Sequence, residues 1–269
     1  MTFVEMANLT WPEAAEVGLE PAVGLIPTGA LEQHGPHLPL ITDSLIAEHV
    51  AKTVAERIEN PVVVAPVVTV GLSSHHLAFP GTATLPEEAF TAQVLGLIEA
   101  LARMRISRVA LISAHGGNFD CLGRIAEGAE GADEFPSLRV RAYTDFAGYV
   151  QTMAQAAQDN GLADLPETDV HAGGLETSQL LYLSPDLVRP FSDVTGYTAG
   201  RPGWLETLFS EGVQSLSEMG VLGRPQGASA EVGKAVCEAL ADLLARWICG
   251  EFPDVQGAVP LAVSASAGK

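Results

Sequence analysis

Six of the seven histidines in this chain, His34, His37, His75, His76, His115 and His171, fall in Gly-, Pro- or Ser-rich stretches. Such stretches join regular elements, where side chains can converge on a site. Only His49 sits in a helical pattern, as a surface or capped core residue. The first cluster reads Gly29-Ala-Leu-Glu32-Gln-His34-Gly-Pro-His37-Leu-Pro, followed by Asp43. Glu32 and His34 are two residues apart, so an extended backbone points both to the same side. Asp43 lies in Thr-Asp-Ser at a helix start, where a helix cap and a metal ligand are equally good readings. His37 fits loop packing or the support of a ligand.

The second cluster, Ser113-Ala-His115-Gly-Gly-Asn118, directly follows a short apolar run. Gly116 and Gly117 permit tight backbone geometry that could aim N–H groups at a substrate oxygen, with Asn118 beside them. The third is Asp169-Val-His171-Ala-Gly-Gly-Leu-Glu176-Thr-Ser178. A glutamate in a first helical turn is commonly a partner of the helix dipole, so Glu176 gains weight only from its company. His75 and His76 lie in a Gly71–Leu77 loop, and substrate contact by one of them is as reasonable as exposure. Glu32, Asp43 and Glu176 with His34 and His115 make a mixed O/N set without thiolate. That set suits zinc, manganese or iron. Three carboxylates against two divalent ions leave one positive charge, enough to hold a hydroxide. Two ions at the usual ~3.5–4 Å require one carboxylate to bridge them.

The elements that must position these residues alternate. Strands are expected at Pro21–Pro27, Pro61–Val70 (interrupted by Pro66), Arg108–Ser113 and Leu138–Tyr143. Helices are expected at Ser44–Ile58, Pro86–Met104, Asn118–Gly131, Phe146–Asn160, Gly174–Leu183 and Ala230–Cys249. This order predicts βαβ units and a mainly parallel sheet covered on both faces. Ligands collect beyond the carboxyl ends of such strands, where His115 and the Glu32/His34 pair lie. One domain over 1–250 is expected, with a loose tail at 251–269.

The net charge of −19, from 33 acidic and 14 basic residues, opposes nucleic acid and anionic membranes. The cysteines Cys121, Cys237 and Cys249 are odd in number and widely spaced, as expected of free thiols in a reducing compartment. No basic-then-apolar leader opens the chain and no apolar run reaches membrane-span length, so a cytoplasmic protein is expected.

The first motif, with Asp43 eleven residues after Glu32, resembles the signature of the creatininase family. Phe79-Pro-Gly-Thr82, His115-Gly-Gly-Asn118 and His171 to Ser178 match it in the same order, from about Trp11 to Gly227. The resemblance implies a three-layer α/β/α sandwich, a binuclear centre and a homo-oligomer, hexamers being frequent. By that resemblance Glu32 and His115 hold one metal, His34 the other, and Asp43 bridges. Creatininases proper resemble this chain less at the second motif, where a liganding glutamate stands in place of Gly117. Relatives with His-Gly-Gly-Asn complete the site from the glutamate of Glu-Thr-Ser, here Glu176. The family also lines its substrate with tryptophans. Of Trp11, Trp204 and Trp247 only Trp204 is placed to reach a pocket, which argues against creatinine.

The function expected is a metal-dependent amidohydrolase acting on a cyclic amide, a formamide or another small amide rather than an ordinary peptide bond. A hydroxide bridging the metals would attack the carbonyl. His171 would either pass a proton to the leaving nitrogen or orient a ligand. A mycofactocin-precursor-type peptidase of the same family and a degenerate small-molecule-binding protein are the alternatives.

Overall fold

The computed structural model describes residues 3–18, 22–131 and 133–257. Five parallel strands form its sheet: β1 (Phe3–Glu5), β2 (Val23–Thr28), β3 (Val62–Val64), β4 (Arg108–Ser113) and β5 (Arg139–Ala142), in the order β1-β3-β2-β4-β5. β2, β3 and β4 are runs of apolar residues buried on both faces, as a covered parallel sheet requires. The strand period of two divides them between two cores. Val23, Leu25, Val62, Val64, Ala110 and Ile112 face one core; Ile26, Val63, Val109 and Leu111 face the other.

The first core is closed by α2 (Thr42–Ala55), α5 (Phe146–Asp159), α6 (Gly174–Leu183) and α8 (Ala230–Glu251). The second is closed by α3 (Glu87–Arg103) and α4 (Phe119–Ala129), with α1 (Trp11–Val17) at its margin. The result is the expected three-layer α/β/α arrangement. α2 leaves β2 toward one face and α4 leaves the adjacent β4 toward the other. The crevice between their first turns is a topological switch point.

Several boundaries differ from the sequence reading. The Pro61–Val70 strand shrinks to three residues, because Pro66 has no N–H for the ladder. Pairing resumes only as a single bridge between Thr28 and Val68. Pro21 lies outside the described residues. α2 begins two residues earlier than expected, with Ile41 at its cap and no side-chain cap bond. Asp43 is therefore in the first turn and is not the cap. Edge strand β1, helix α1 and helix α7 (Trp204–Glu211) were not expected; each is too short to show a period.

Beyond α8, Phe252 and Val255 are buried, and the Glu59 N–H donates to the Gln256 carbonyl at 2.8 Å; residues after 257 lie outside the described set. The three cysteines are free thiols. No described helix is long and apolar enough to cross a membrane.

Candidate metal centre

Four segments deliver acidic and imidazole groups to the switch-point crevice. The loop after β2 carries Glu32 and His34, and the first turn of α2 carries Asp43. His115 follows β4 directly, and His171 and Glu176 flank the start of α6. All six are buried. The two oxygens of Asp43 face different partners: Oδ1 is 2.9 Å from His34 Nε2, and Oδ2 is 3.1 Å from His115 Nδ1. Glu176 Oε2 lies 3.6 Å from the same His34 nitrogen, and Glu32 Oε1 lies 3.3 Å from the same His115 nitrogen. Two groups able to hold a cation therefore share Asp43: Glu32–Asp43–His115 and His34–Asp43–Glu176. A third, Glu32–His34–His171, overlaps both.

The proton positions say what this cluster requires. His34 Nδ1 is 3.1 Å from the carbonyl oxygen of Glu32, and His115 Nε2 is 3.1 Å from that of Leu72. A carbonyl only accepts, so each ring commits its proton there and turns its other nitrogen to the carboxylates. In a neutral ring that nitrogen carries a lone pair, which repels a carboxylate unless a cation lies between. Both Glu32 oxygens and Asp43 Oδ2 are buried without a hydrogen-bond partner, although most buried polar atoms have one.

Without metal, protons fill the gap. Burial opposes a charge on His34, but Asp43, Glu176 and Glu32 outweigh it and push its pKa up to about 10. His115 is raised well above its ordinary value against burial by Glu32 and Asp43. Burial raises the Asp43 carboxyl, yet His34 and His115 hold it below the ordinary range. Glu176 goes up to about 8, first through burial and then through Asp43 and Glu32, with His34 pulling the other way.

The third cluster is anchored by a residue to which the sequence assigned no role. The buried carboxylate of Asp169 accepts from the N–H groups of Gly174, Leu175 and Arg224 at 2.9, 3.1 and 3.1 Å. It thereby caps the entry to α6 and pins the loop that bears His171. Ala172 has φ 54, in the left-handed region, and its N–H donates to Glu176 Oε2 at 2.5 Å. That turn brings His171 and Glu176 to one site.

Gly117 has no room for a side chain. A Cβ there would lie 2.4 Å from the Leu72 oxygen and 2.6 Å from His115 Nε2. The carboxylate grouped with His34 and Asp43 is that of Glu176. Gly117→Ala is accordingly expected to cost about 1–3 kcal/mol of stability and to weaken metal retention by displacing His115. Unchanged urea unfolding and metal content would contradict this packing.

A cavity opens over the cluster. Gly116, Gly117, His75, His76 and His171 line it together with Ile46, Phe146, Tyr149, Met153, Leu205, Leu208 and Phe209. His75 is half-buried and stacks on His115, while burial and then His115 lower its pKa to about 3. His76 is buried, so neither histidine of that loop is exposed. Asn118 does not line the cavity. Its amide binds Leu72 N–H at 3.1 Å and the Gly29 carbonyl at 3.0 Å, joining the loops after β2, β3 and β4.

Trp204 does not line the cavity either. It stands over Tyr197, and its successors Leu205, Leu208 and Phe209 form the wall. The α7 helix turns the indole away, a matter of helical phase that composition does not reveal. His37 holds Thr177 Oγ1 at 2.9 Å from behind the site. His49 is remote, packed edge-on against Tyr182. His76 approaches Glu32 at 3.3 Å, and Gln33, to which the sequence assigned no role, contacts both His76 and His171 at 2.9 Å. The only signal for Gln33 was its position between Glu32 and His34.

Comparison with known proteins follows this geometry. The sequence model of the creatininase family, described as creatinine amidohydrolase, matches residues 7–248. A mycofactocin precursor peptide peptidase of Mycolicibacterium smegmatis is 35% identical over 233 residues, 83% of this chain and 84% of the relative. A creatinine amidohydrolase of Pseudomonas putida is 32% identical over 263 residues, 93% of this chain and 98% of the relative. Among solved structures, a manganese form of creatininase superposes with TM-score 0.73 at 28% identity, covering 93% of this chain and 99% of its own.

Proposed function

The chain belongs to the creatininase family, and from that premise we propose that it is a two-metal hydrolase of an amide-type C–N bond. The observation that carries this reading is the pair of ligand groups sharing Asp43. The orphaned Glu32 oxygens and the oxygen-and-imidazole donor set fit divalent zinc, manganese or iron. Glu32 and His115 would hold one ion, His34 and Glu176 the other, and Asp43 both. Bound there, the pair would supply hydroxide near neutral pH and Lewis acidity toward a substrate carbonyl.

The chain's own groups do the rest. The rings of His34 and His115 are locked by their carbonyl partners, so the ligand set is preorganised. Gly116 and Gly117 bring backbone to the cavity wall beside the cluster. His171 lines the cavity and is kept neutral by burial and by the neighbouring imidazoles of His34 and His115. We assign it the uptake of a proton and its delivery to the leaving nitrogen.

The largely apolar walls and the lack of a tryptophan among the cavity residues favour a small cyclic amide or formamide over creatinine. A peptide bond is the second reading, favoured by the 35% identity to mycofactocin precursor peptide peptidases. Elemental analysis of the purified protein is expected to find about two divalent ions per chain. Turnover is then expected on a panel of cyclic amides, formamides and short peptides, and not on a lactone or a phosphomonoester. No metal after supplementation would replace this reading with a degenerate binding protein. The homo-oligomer belongs to the same proposal and is tested by light scattering.

A further inference from the structure

Gln33 lies between Glu32 and His34, and its side chain is buried among polar groups. Its Oε1 accepts the N–H of Gly35 at 2.9 Å, and its Nε2 donates to the carbonyl of Gly220 at 2.9 Å. Both partners are backbone groups, one a donor only and the other an acceptor only, so the amide has a single orientation. Gly220 has φ +74, and a Cβ there would lie 2.0 Å from Gln33 Oε1; only glycine lets that segment close over the amide.

One hydrogen of the amide remains, and two ring nitrogens stand 2.9 Å from Nε2: His76 Nδ1 and His171 Nε2. His171 Nε2 is also 2.8 Å from the Gln33 carbonyl oxygen, which can only accept, so that nitrogen carries the proton and cannot receive another. The remaining hydrogen goes to His76 Nδ1. A neutral His76 then bears its proton on Nε2, which faces Glu32 Oε1 at 3.3 Å.

We propose that Gln33 is a positioning residue that sets the tautomers of two histidines at once. Its side-chain amide fixes the proton of His76 on Nε2, the nitrogen that approaches Glu32 Oε1. Its main-chain carbonyl leaves His171 with a free Nδ1 lone pair, 3.5 Å from the same Glu32 oxygen. One residue thus places the proton of His76 on the nitrogen nearer a ligand carboxylate and leaves Nδ1 of His171 unprotonated. The kinetic consequence rests on the proposed hydrolase; the tautomers do not.

The test is long-range 1H–15N NMR of histidine-labelled protein, zinc-loaded and metal-free. The expected result is a protonated Nε2 and a hydrogen-bonded, unprotonated Nδ1 for His76, with His171 protonated on Nε2. A wild-type His76 protonated on Nδ1 would overturn the proposal. Gln33→Glu replaces the donor with an acceptor, so His76 should move to the Nδ1–H form. An unchanged His76 spectrum in the folded variant would also overturn it. Should Gln33→Glu fail to fold, Gln33→Met removes the donor without adding charge and should give mixed tautomers; a single unchanged form counts against the role. In the hydrolase, either variant should lower kcat about 10–100-fold with KM little changed. Absent turnover in the wild type would defeat the hydrolase reading alone, because the wild-type spectrum decides the tautomers without it.

Discussion

Asp43→Asn is expected to leave a folded protein that binds at most one metal ion per chain and turns over amide substrate at least about a thousandfold more slowly. The magnitude follows from the several kcal/mol that a metal pair contributes to charge stabilisation, at about 1.4 kcal/mol per tenfold in rate. Asparagine keeps the volume, so the fold should survive. What it removes is the charge shared between His34 on one side and His115 on the other. Its neutral amide offers one accepting oxygen where both triads need one. Glu176→Gln is the informative companion. It should empty only the position beside His34 and leave the Glu32–Asp43–His115 group occupied. Elemental analysis with a steady-state assay checks both, and an Asp43→Asn enzyme holding two ions at wild-type turnover would sink the shared-bridge assignment.

Chelation should have the largest effect on stability, and the effect should grow with pH. A metal present at about a thousand times its Kd stabilises the fold by about 4 kcal/mol, which for a chain of this size corresponds to a fall in Tm of about 10 °C on removal. The pH dependence comes from the groups that hold protons in the metal's place. His34 has a folded pKa of about 10 against an ordinary 6.5, so its contribution is full below 6.5 and is lost as pH rises through 10. Glu176, raised to about 8 from 4.5, binds more protons folded than unfolded between those values and adds a slope of the same sign up to about pH 8. The metal-free protein should therefore lose Tm steadily between pH 6.5 and 9. The loaded protein should hold its Tm there, because metal has displaced those protons. Scanning calorimetry with and without chelator decides it, and parallel curves for the two forms would contradict a metal-filled cluster.

Much of this architecture could be read from local pattern. Short buried apolar runs such as Arg108–Ser113, alternating with helical stretches, pointed to a parallel sheet covered on both faces, and the sheet is parallel throughout its described strands. Glu32, His34 and His115 were legible because they lie in loops after strands, whose carboxyl ends face a common crevice in such sheets. Errors fell where pattern is too short or too local. Three-residue β1 and eight-residue α7 are held by contacts rather than period. Trp204 looked available for the substrate until the phase of α7 turned it toward Tyr197.

The sequence by itself determined the inventory: three carboxylates and two imidazoles of the right hardness, spaced for loops, with a motif specific enough to suggest the family. Only the tertiary structure decided the partnerships. Asp43 could have been a cap or a ligand until α2 was seen to start before it, freeing the carboxylate for His34 and His115. Glu176 could have served only the helix dipole until the loop pinned by Asp169 brought it to His34. Gln33 carried no chemical signal in one dimension, and His76 none that separated contact from exposure. Their roles arise from hydrogen bonds among β2, β3 and α6 loops far apart in the chain. Spacing along a chain constrains only neighbours within a few residues, whereas the choice among distant donors and acceptors is made when burial removes water and each must find a partner.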